Sequence, residues 1–121
     1  MDDLEQFARD RDAAIQSYET DAQFQTDSLS WVLQAMSKRY VYNFDWMGRP
    51  IIQYPQDLQA MQEIVWRTRP DVIIETGIAH GGSLIFSASM LALLDYADAA
   101  ASGRSLVPGQ SDRTVIGIDI D

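Results

Sequence analysis

The sequence predicts an α/β fold in which N-terminal helices precede one βαβ unit, with a sheet that is incomplete. Three observations support this prediction: helical spacing of apolar residues in the first third, two short β-branched runs, and a glycine turn between the first run and a long apolar stretch. The chain has 121 residues, of which 46% are hydrophobic and 22% charged, as in a globular domain. We divide it into a helical segment, 1–39, and a βαβ-containing segment, 40–121.

Composition excludes several classes of protein. The formal net charge of -9 would repel a phosphate backbone, so we expect no nucleic-acid partner. The chain has no cysteine and one histidine, so a metal site built from thiolates or from several histidines is excluded. We expect no membrane span, because no apolar run approaches about 20 residues. The acidic N-terminus is unlike a signal peptide, and we therefore expect a cytoplasmic protein.

The first third has the pattern of two amphipathic helices. In the first, apolar residues recur at steps of three and four, at Leu4, Phe7, Ala8, Ile15 and Tyr18. The second is predicted to start near Asp27, which is a suitable N-cap. We interpret the apolar faces of both helices as packing or oligomer contacts.

In the middle of the chain the sequence pattern predicts a connecting segment, then a helix, then a strand. Residues 40–55 lose periodicity and are interpreted as irregular or extended. A helix is predicted to open at Gln56 or Asp57 and to stop before Pro70, since proline disfavours helical geometry in the preceding residue. The β-branched run 72–74 is too apolar to alternate, which predicts a strand buried on both faces of a parallel sheet.

The last third completes the βαβ pattern. A glycine-containing loop over 75–83 leads into a predicted helix from about 84 to 100. Residues 101–113 contain two Gly, a Pro and three Ser, which predicts a surface loop. A second buried strand is predicted over 114–120.

The glycine loop is the main candidate for a binding site. Gly77 and Gly81 lie where the chain must turn from a strand into a helix, and glycine allows both positive φ and close approach of a ligand. The helix N-terminus near Ser83 would favour a carboxylate or phosphate. The spacing is G-x-x-x-G and differs from the dinucleotide pattern G-x-G-x-x-G, which favours a nucleoside with an amino-acid tail over a pyrophosphate.

An acidic residue after the second strand complements this loop. Asp119 stands where a parallel sheet places the carboxylate that binds ribose hydroxyls, and Asp121 is the second choice. Two simpler interpretations remain open: Glu75 accepts loop N–H groups, or Asp119 caps a following helix. The loop and the acid together favour a nucleoside cofactor.

Four stretches of the chain resemble the cephalosporin hydroxylase family. They are Trp46-Met-Gly-Arg-Pro-Ile-Ile-Gln-Tyr-Pro-Gln-Asp-Leu58, the triplet Arg69-Pro70-Asp71, the loop from Glu75 to Ser83, and the terminal Val115-Ile-Gly-Ile-Asp119-Ile-Asp121. The resemblance covers about 40–121. It implies a Rossmann-like, class I S-adenosylmethionine-dependent methyltransferase fold in the second segment, and the family includes rhamnosyl O-methyltransferases of lipid or natural-product biosynthesis.

The resemblance also implies roles for individual residues. The cofactor loop would comprise Glu75, Gly77, Gly81 and Gly82, with Asp119 as the ribose ligand and S-adenosylmethionine as the cofactor. Any Mg2+ would be held by acids beyond this chain, where the family also has much of its substrate pocket. No catalytic residue can be assigned; His80, the single histidine, is interpreted as a bystander or cofactor contact.

The predicted function is therefore that of the N-terminal portion of an O-methyltransferase, which transfers a methyl group to a hydroxyl of a small sugar or natural-product substrate. The alternative is a non-catalytic truncated or split fragment that needs a partner chain. We expect a homo-oligomer or a complementing chain, because two parallel strands leave edges uncovered. A nicotinamide-dependent oxidoreductase is disfavoured by the glycine spacing.

Overall fold

The computed structural model describes residues 2–120, so Asp121, the second choice for a ribose ligand, lies outside the described residues. The chain divides by its contacts into two units, Met1–Arg39 and Tyr40–Asp121. The mixed α/β class is confirmed, with helices and two small sheets.

The first unit consists of two helices, α1 (Asp3–Thr20) and α2 (Ala22–Ser37). The carboxylate of Asp21 accepts a hydrogen bond from Phe24 N at 2.9 Å and so caps α2. The predicted start near Asp27 is therefore wrong, since Asp27 lies one turn inside the helix and accepts a hydrogen bond from Gln23. Asp21 takes the capping position because it ends α1 and starts α2 without an intervening loop.

The second unit begins with a 3-10 turn, Tyr40–Tyr42, and a hairpin of β1 (Phe44–Trp46) and β2 (Arg49–Ile51). The strands pair antiparallel, with Phe44 opposite Ile51. The interpretation of 40–55 as irregular or extended agrees with two short extended strands, but it did not include their pairing into a hairpin. Met47 and Gly48 have φ values of 50° and 80°, and positive φ at both central residues is what a two-residue hairpin turn of type I′ requires.

The rest of the unit alternates helices and strands. In chain order these are α3 (Pro55–Thr68), β3 (Val72–Thr76), α4 (Gly82–Ser102), a 3-10 turn (Pro108–Gln110) and β4 (Thr114–Ile118). Strands β3 and β4 pair in parallel, and the register runs from Val72 opposite Thr114 to Thr76 opposite Ile118. The carboxyl ends of both strands therefore meet at one edge of the sheet.

One face of this sheet carries the core. Val65, Leu91 and Leu94 form a buried cluster, against which Ile73 and Val115 pack. The prediction that residues 72–74 are buried on both faces is wrong, because strand side chains alternate between faces. Ile74 is 62% exposed and Ile116 is 44% exposed on the opposite face.

Helix α4 is the most apolar of the α-helices within residues 2–120. It has 21 residues and an 18-residue window of mean hydropathy 1.4, so by length and composition it could cross a membrane. This differs from the sequence-based expectation that no run is long enough. The finding is weak evidence for a span, since a core helix passes the same test and α4 contacts β1, β2, α3 and β4.

Ion pairs fix α4 at the amino edge of the sheet. Arg113, just before β4, pairs with Asp95 and Asp98 of α4, and Arg69, just after α3, also pairs with Asp98. The hydrogen bond from Ser111 is the main cause that holds the pKa of Asp95 below its ordinary value, with Arg113 adding to it. The hydrogen bond from Arg113 likewise lowers the pKa of Asp98.

Candidate functional site

The candidate site is the loop between β3 and α4. Gly77 leaves β3 with φ 75° and donates its N–H to the carbonyl of Ile118 at 2.8 Å. A turn follows, closed by a hydrogen bond of 2.7 Å from Gly81 N to the carbonyl of Ile78. Ala79 has φ 43°, which is uncommon for a residue with a side chain and is found preferentially at binding sites.

Both predicted turn glycines border open space. A Cβ atom built on Gly77 or on Gly81 would have no protein atom within 4 Å. Gly81, with φ 84°, is the N-cap of α4, and no side chain caps this helix. The first backbone N–H groups of α4 therefore have no capping side chain and carry the positive end of the helix dipole.

Asp119 is joined to the loop directly. Its Oδ2 accepts a hydrogen bond from Ile78 N at 2.8 Å, and its Oδ1 accepts one from Ile120 N at 2.7 Å. The structure thus brings Asp119, beyond β4, together with the loop that follows β3.

Glu75 lies on β3 just before the loop and is half-buried. Its Oε1 accepts a hydrogen bond from the hydroxyl of Ser83 at 2.5 Å, so its described partner is a side chain rather than a loop N–H group. Sequence reasoning treated Ser83 only as the start of the helix and missed this contact. The signal that could have indicated this contact is a hydroxyl side chain in the first turn of α4, eight residues after the acidic Glu75.

Gly82 has a different environment from the other glycines. It is buried, and a Cβ atom there would lie 2.2 Å from the carbonyl oxygen of Pro50 and 2.7 Å from the Cα of Ile51. The missing side chain lets β2 pack directly on the first turn of α4. The structure therefore places Gly82 against the hairpin, where it sets the position of the loop.

A cavity of about 220 Å3 lies between α3 and α4 and adjoins the β3–α4 loop. Its polar lining residues are Gln53, Asp57, Glu75, Ser83 and Ser87, and its apolar ones are Leu58, Met61 and Phe86. Ser87 is only 4% exposed although it is polar. Because two carboxylates and no basic side chain line the cavity, it favours a positively charged or hydrogen-donating group.

His80 is exposed at the tip of the turn. Within residues 2–120, no group of three or more His, Asp or Glu side chains is placed to hold a metal ion.

The architecture is that of an α/β protein with a glycine loop and an adjoining cavity at the carboxyl ends of a parallel strand pair. A family model described as Rhamnosyl O-methyltransferase/CmcI matches residues 38–121. The chain therefore belongs to this family, the cephalosporin hydroxylase family, which confirms the resemblance found in the sequence. Membership indicates O-methyltransferase activity in general terms. No curated protein and no solved structure matches the chain.

Proposed function

We propose that this chain binds S-adenosylmethionine at the β3–α4 loop and serves a methyltransferase that acts on a sugar hydroxyl. The observation that carries the proposal is the joining of the loop to Asp119 through Ile78 N. This contact places an acid and two glycines with free space beside them at one edge of the sheet. A nucleoside cofactor needs that combination of an acceptor for ribose hydroxyls and a surface without side chains.

The residues present fit the two polar ends of the cofactor. Asp119 would accept hydrogen bonds from the ribose hydroxyls, since it lies beside the loop at the carboxyl ends of the parallel strands. The uncapped N-terminus of α4 would hold the carboxylate of the amino-acid tail.

The cavity beside the loop would take the ammonium group of the same tail. Glu75 supplies a carboxylate there, held in place by the hydroxyl of Ser83, and Asp57 supplies a second one. A charge-assisted hydrogen bond of this kind stabilises a complex by about 1.5–3 kcal/mol. The pair of sites, one positive and one negative, matches a zwitterion.

The bound cofactor supplies an electrophilic methyl group. What the residues of this chain contribute is binding and orientation, which by itself can account for a large part of the acceleration of a two-substrate reaction. We propose a hydroxyl of a rhamnosyl sugar as the acceptor, in line with the name of the family. His80 remains a candidate contact to the cofactor, and no residue of this chain is proposed as the base.

Calorimetric titration of the full chain tests this proposal. We expect S-adenosylmethionine and S-adenosylhomocysteine to bind and NAD to fail to bind, because the loop lacks the dinucleotide spacing. Binding of NAD, or no binding of either sulfur compound, would contradict the proposal.

The second candidate function is cofactor binding by this chain, with methyl transfer only when a partner chain is also present. The exposed apolar face of β3 and β4, with Ile74 and Ile116, favours this alternative. Transfer of labelled methyl groups to methyl α-L-rhamnopyranoside by the purified chain distinguishes the two. Turnover by the chain alone would contradict the need for a partner.

A further inference from the structure

We infer that helix α1 is a self-association surface, on which two copies of this chain pair antiparallel about a two-fold axis at Arg11. The inference goes beyond the proposed function and does not depend on it. It rests on the exposure of one face of α1 and on the order of residues along that face.

The first step is that α1 has an apolar face that α2 does not cover. No residue of Asp3–Thr20 is buried. Leu4 is 74% exposed, Phe7 67% and Ile15 53%. At about 100° per residue these side chains and Tyr18 fall within one stripe about 80° wide.

The second step is that α1 needs a partner to be a stable helix. Isolated helices of this length are marginal in water, and helices in proteins gain most of their stability by packing an amphipathic face. The described contacts between α1 and α2 lie at the turn between them: Gln25 donates to the carbonyls of Tyr18 and Glu19, and the rings of Tyr18 and Phe24 stack 5.0 Å apart. Helix α2 therefore leaves the stripe from Leu4 to Ile15 exposed.

The third step identifies a second copy as the occupant. A two-fold interface must be self-complementary, so that residue i meets j and j meets i. The stripe meets this condition about position 11: Leu4 falls opposite Tyr18, Phe7 opposite Ile15, and Ala8 opposite Ala14. Each opposed pair then matches a small residue with a small one or a large residue with a large one. The polar Arg11 at the centre of the stripe fixes the register of the two helices.

The size of the contact agrees with a weak dimer. The helix is about 27 Å long, and two such helices bury on the order of 1,000 Å2, which is at the low end for specific interfaces. Helix α1 has five acidic residues (Asp3, Glu5, Asp10, Asp12, Glu19) against two basic ones, Arg9 and Arg11, so two copies repel each other at low salt. Added salt should therefore strengthen the pairing, which is opposite to its effect on an interface held by opposite charges.

Light scattering coupled to size exclusion tests the surface on the full chain. We expect a concentration-dependent dimer that tightens between about 50 mM and 500 mM salt. The double substitution Phe7→Glu and Ile15→Glu should weaken it by about tenfold or more, since it places charge in the apolar stripe. Because both positions are exposed, the thermal unfolding of the second unit should not change. Ile74→Ser on the bare sheet face is the matched control and should leave the dimer intact.

Cross-linking tests the arrangement. The chain has no cysteine, so an introduced one is unique. Arg11→Cys should be cross-linked to a dimer by a short bis-maleimide, because position 11 meets itself. Leu4→Cys should not, because the two copies of position 4 are about 21 Å apart along the axis. A monomer at all concentrations, cross-linking of both variants as in a parallel pair, or loss of the dimer only in Ile74→Ser would each overturn the inference.

Discussion

The carboxylate of Asp119 accepts a hydrogen bond from the backbone N–H of Ile78, with 2.8 Å between Oδ2 and N. These residues are far apart in sequence, and the contact depends on the parallel pairing of β3 with β4, in which Thr76 lies opposite Ile118. The acid therefore serves the loop as well as any ligand. A change at either residue should affect both the shape of the loop and its binding.

Replacement of Asp119 by Ala should weaken S-adenosylmethionine binding by about 1.5–3 kcal/mol, or roughly 10- to 100-fold, because a charge-assisted hydrogen bond to the ribose is lost. Calorimetry measures the effect. Asp71→Ala is a control, since Asp71 precedes β3 at the other edge of the sheet. Equal affinity of the Asp119 variant and the parent would exclude the ribose assignment.

Substitution of Gly77 by Val should abolish S-adenosylmethionine binding. The φ of 75° is unfavourable for a residue with a side chain by about 1–2 kcal/mol, and the new side chain would enter the open space beside the loop. Gly109→Val provides a comparison, because Gly109 also has open space around it but no positive φ. Retained binding in a folded Gly77 variant would show that the ligand does not use this space.

Gly82→Ala should destabilise the fold. Its Cβ would overlap the backbone of Pro50, which cannot move without shifting β2, and such overpacking costs about 1–3 kcal/mol or more. Chemical unfolding measures the change. Gly109→Ala should be nearly neutral by the same assay. A stable Gly82 variant that has lost only ligand binding would instead make Gly82 a cofactor contact.

The ion pairs around Arg113 should make stability sensitive to acid. The pKa values of Asp95 and Asp98 are lowered below the ordinary 3.8, so their contribution is present above that pH and is lost as the pH falls through the values of the folded state. Replacing Asp95 by Asn should remove about 1–3 kcal/mol at neutral pH, because Arg113 is largely buried and loses a charged partner.

The Asn variant should also lose less stability than the parent between about pH 5 and pH 2. Urea unfolding at several pH values measures both effects. Glu63→Gln on the exposed side of α3 serves as the control for removal of a carboxylate. An acid dependence identical to that of the parent would show that Asp95 does not contribute to it.

Local signals allowed part of this fold to be predicted. The β-branched run from Val72 marked β3, and Pro70 marked the end of α3, because both effects act within a few residues. The hairpin was missed because Met47, a residue rarely found at positive φ, occupies its turn.

The site residues, too, could be predicted only where the signal is local in the sequence. Gly77 and Gly81 could be identified because their positive φ is a local requirement of the turn. The contact of Gly82 with Pro50 could not, because it joins segments about 30 residues apart and depends on how β2 packs on α4. The bond from Ser83 to Glu75 likewise required the geometry of the strand and the helix together.

The parallel pairing of β3 with β4 has a consequence for the order of folding. Val72 cannot meet Thr114 until all of α4 and the following loop have left the ribosome, which at about 5–20 residues per second takes several seconds. During that interval the apolar side of α4 has β1, β2 and α3 to pack on but not β4. The hairpin of β1 and β2 thus covers the nascent helix first, and the β3–α4 loop acquires its shape last, when Asp119 reaches Ile78.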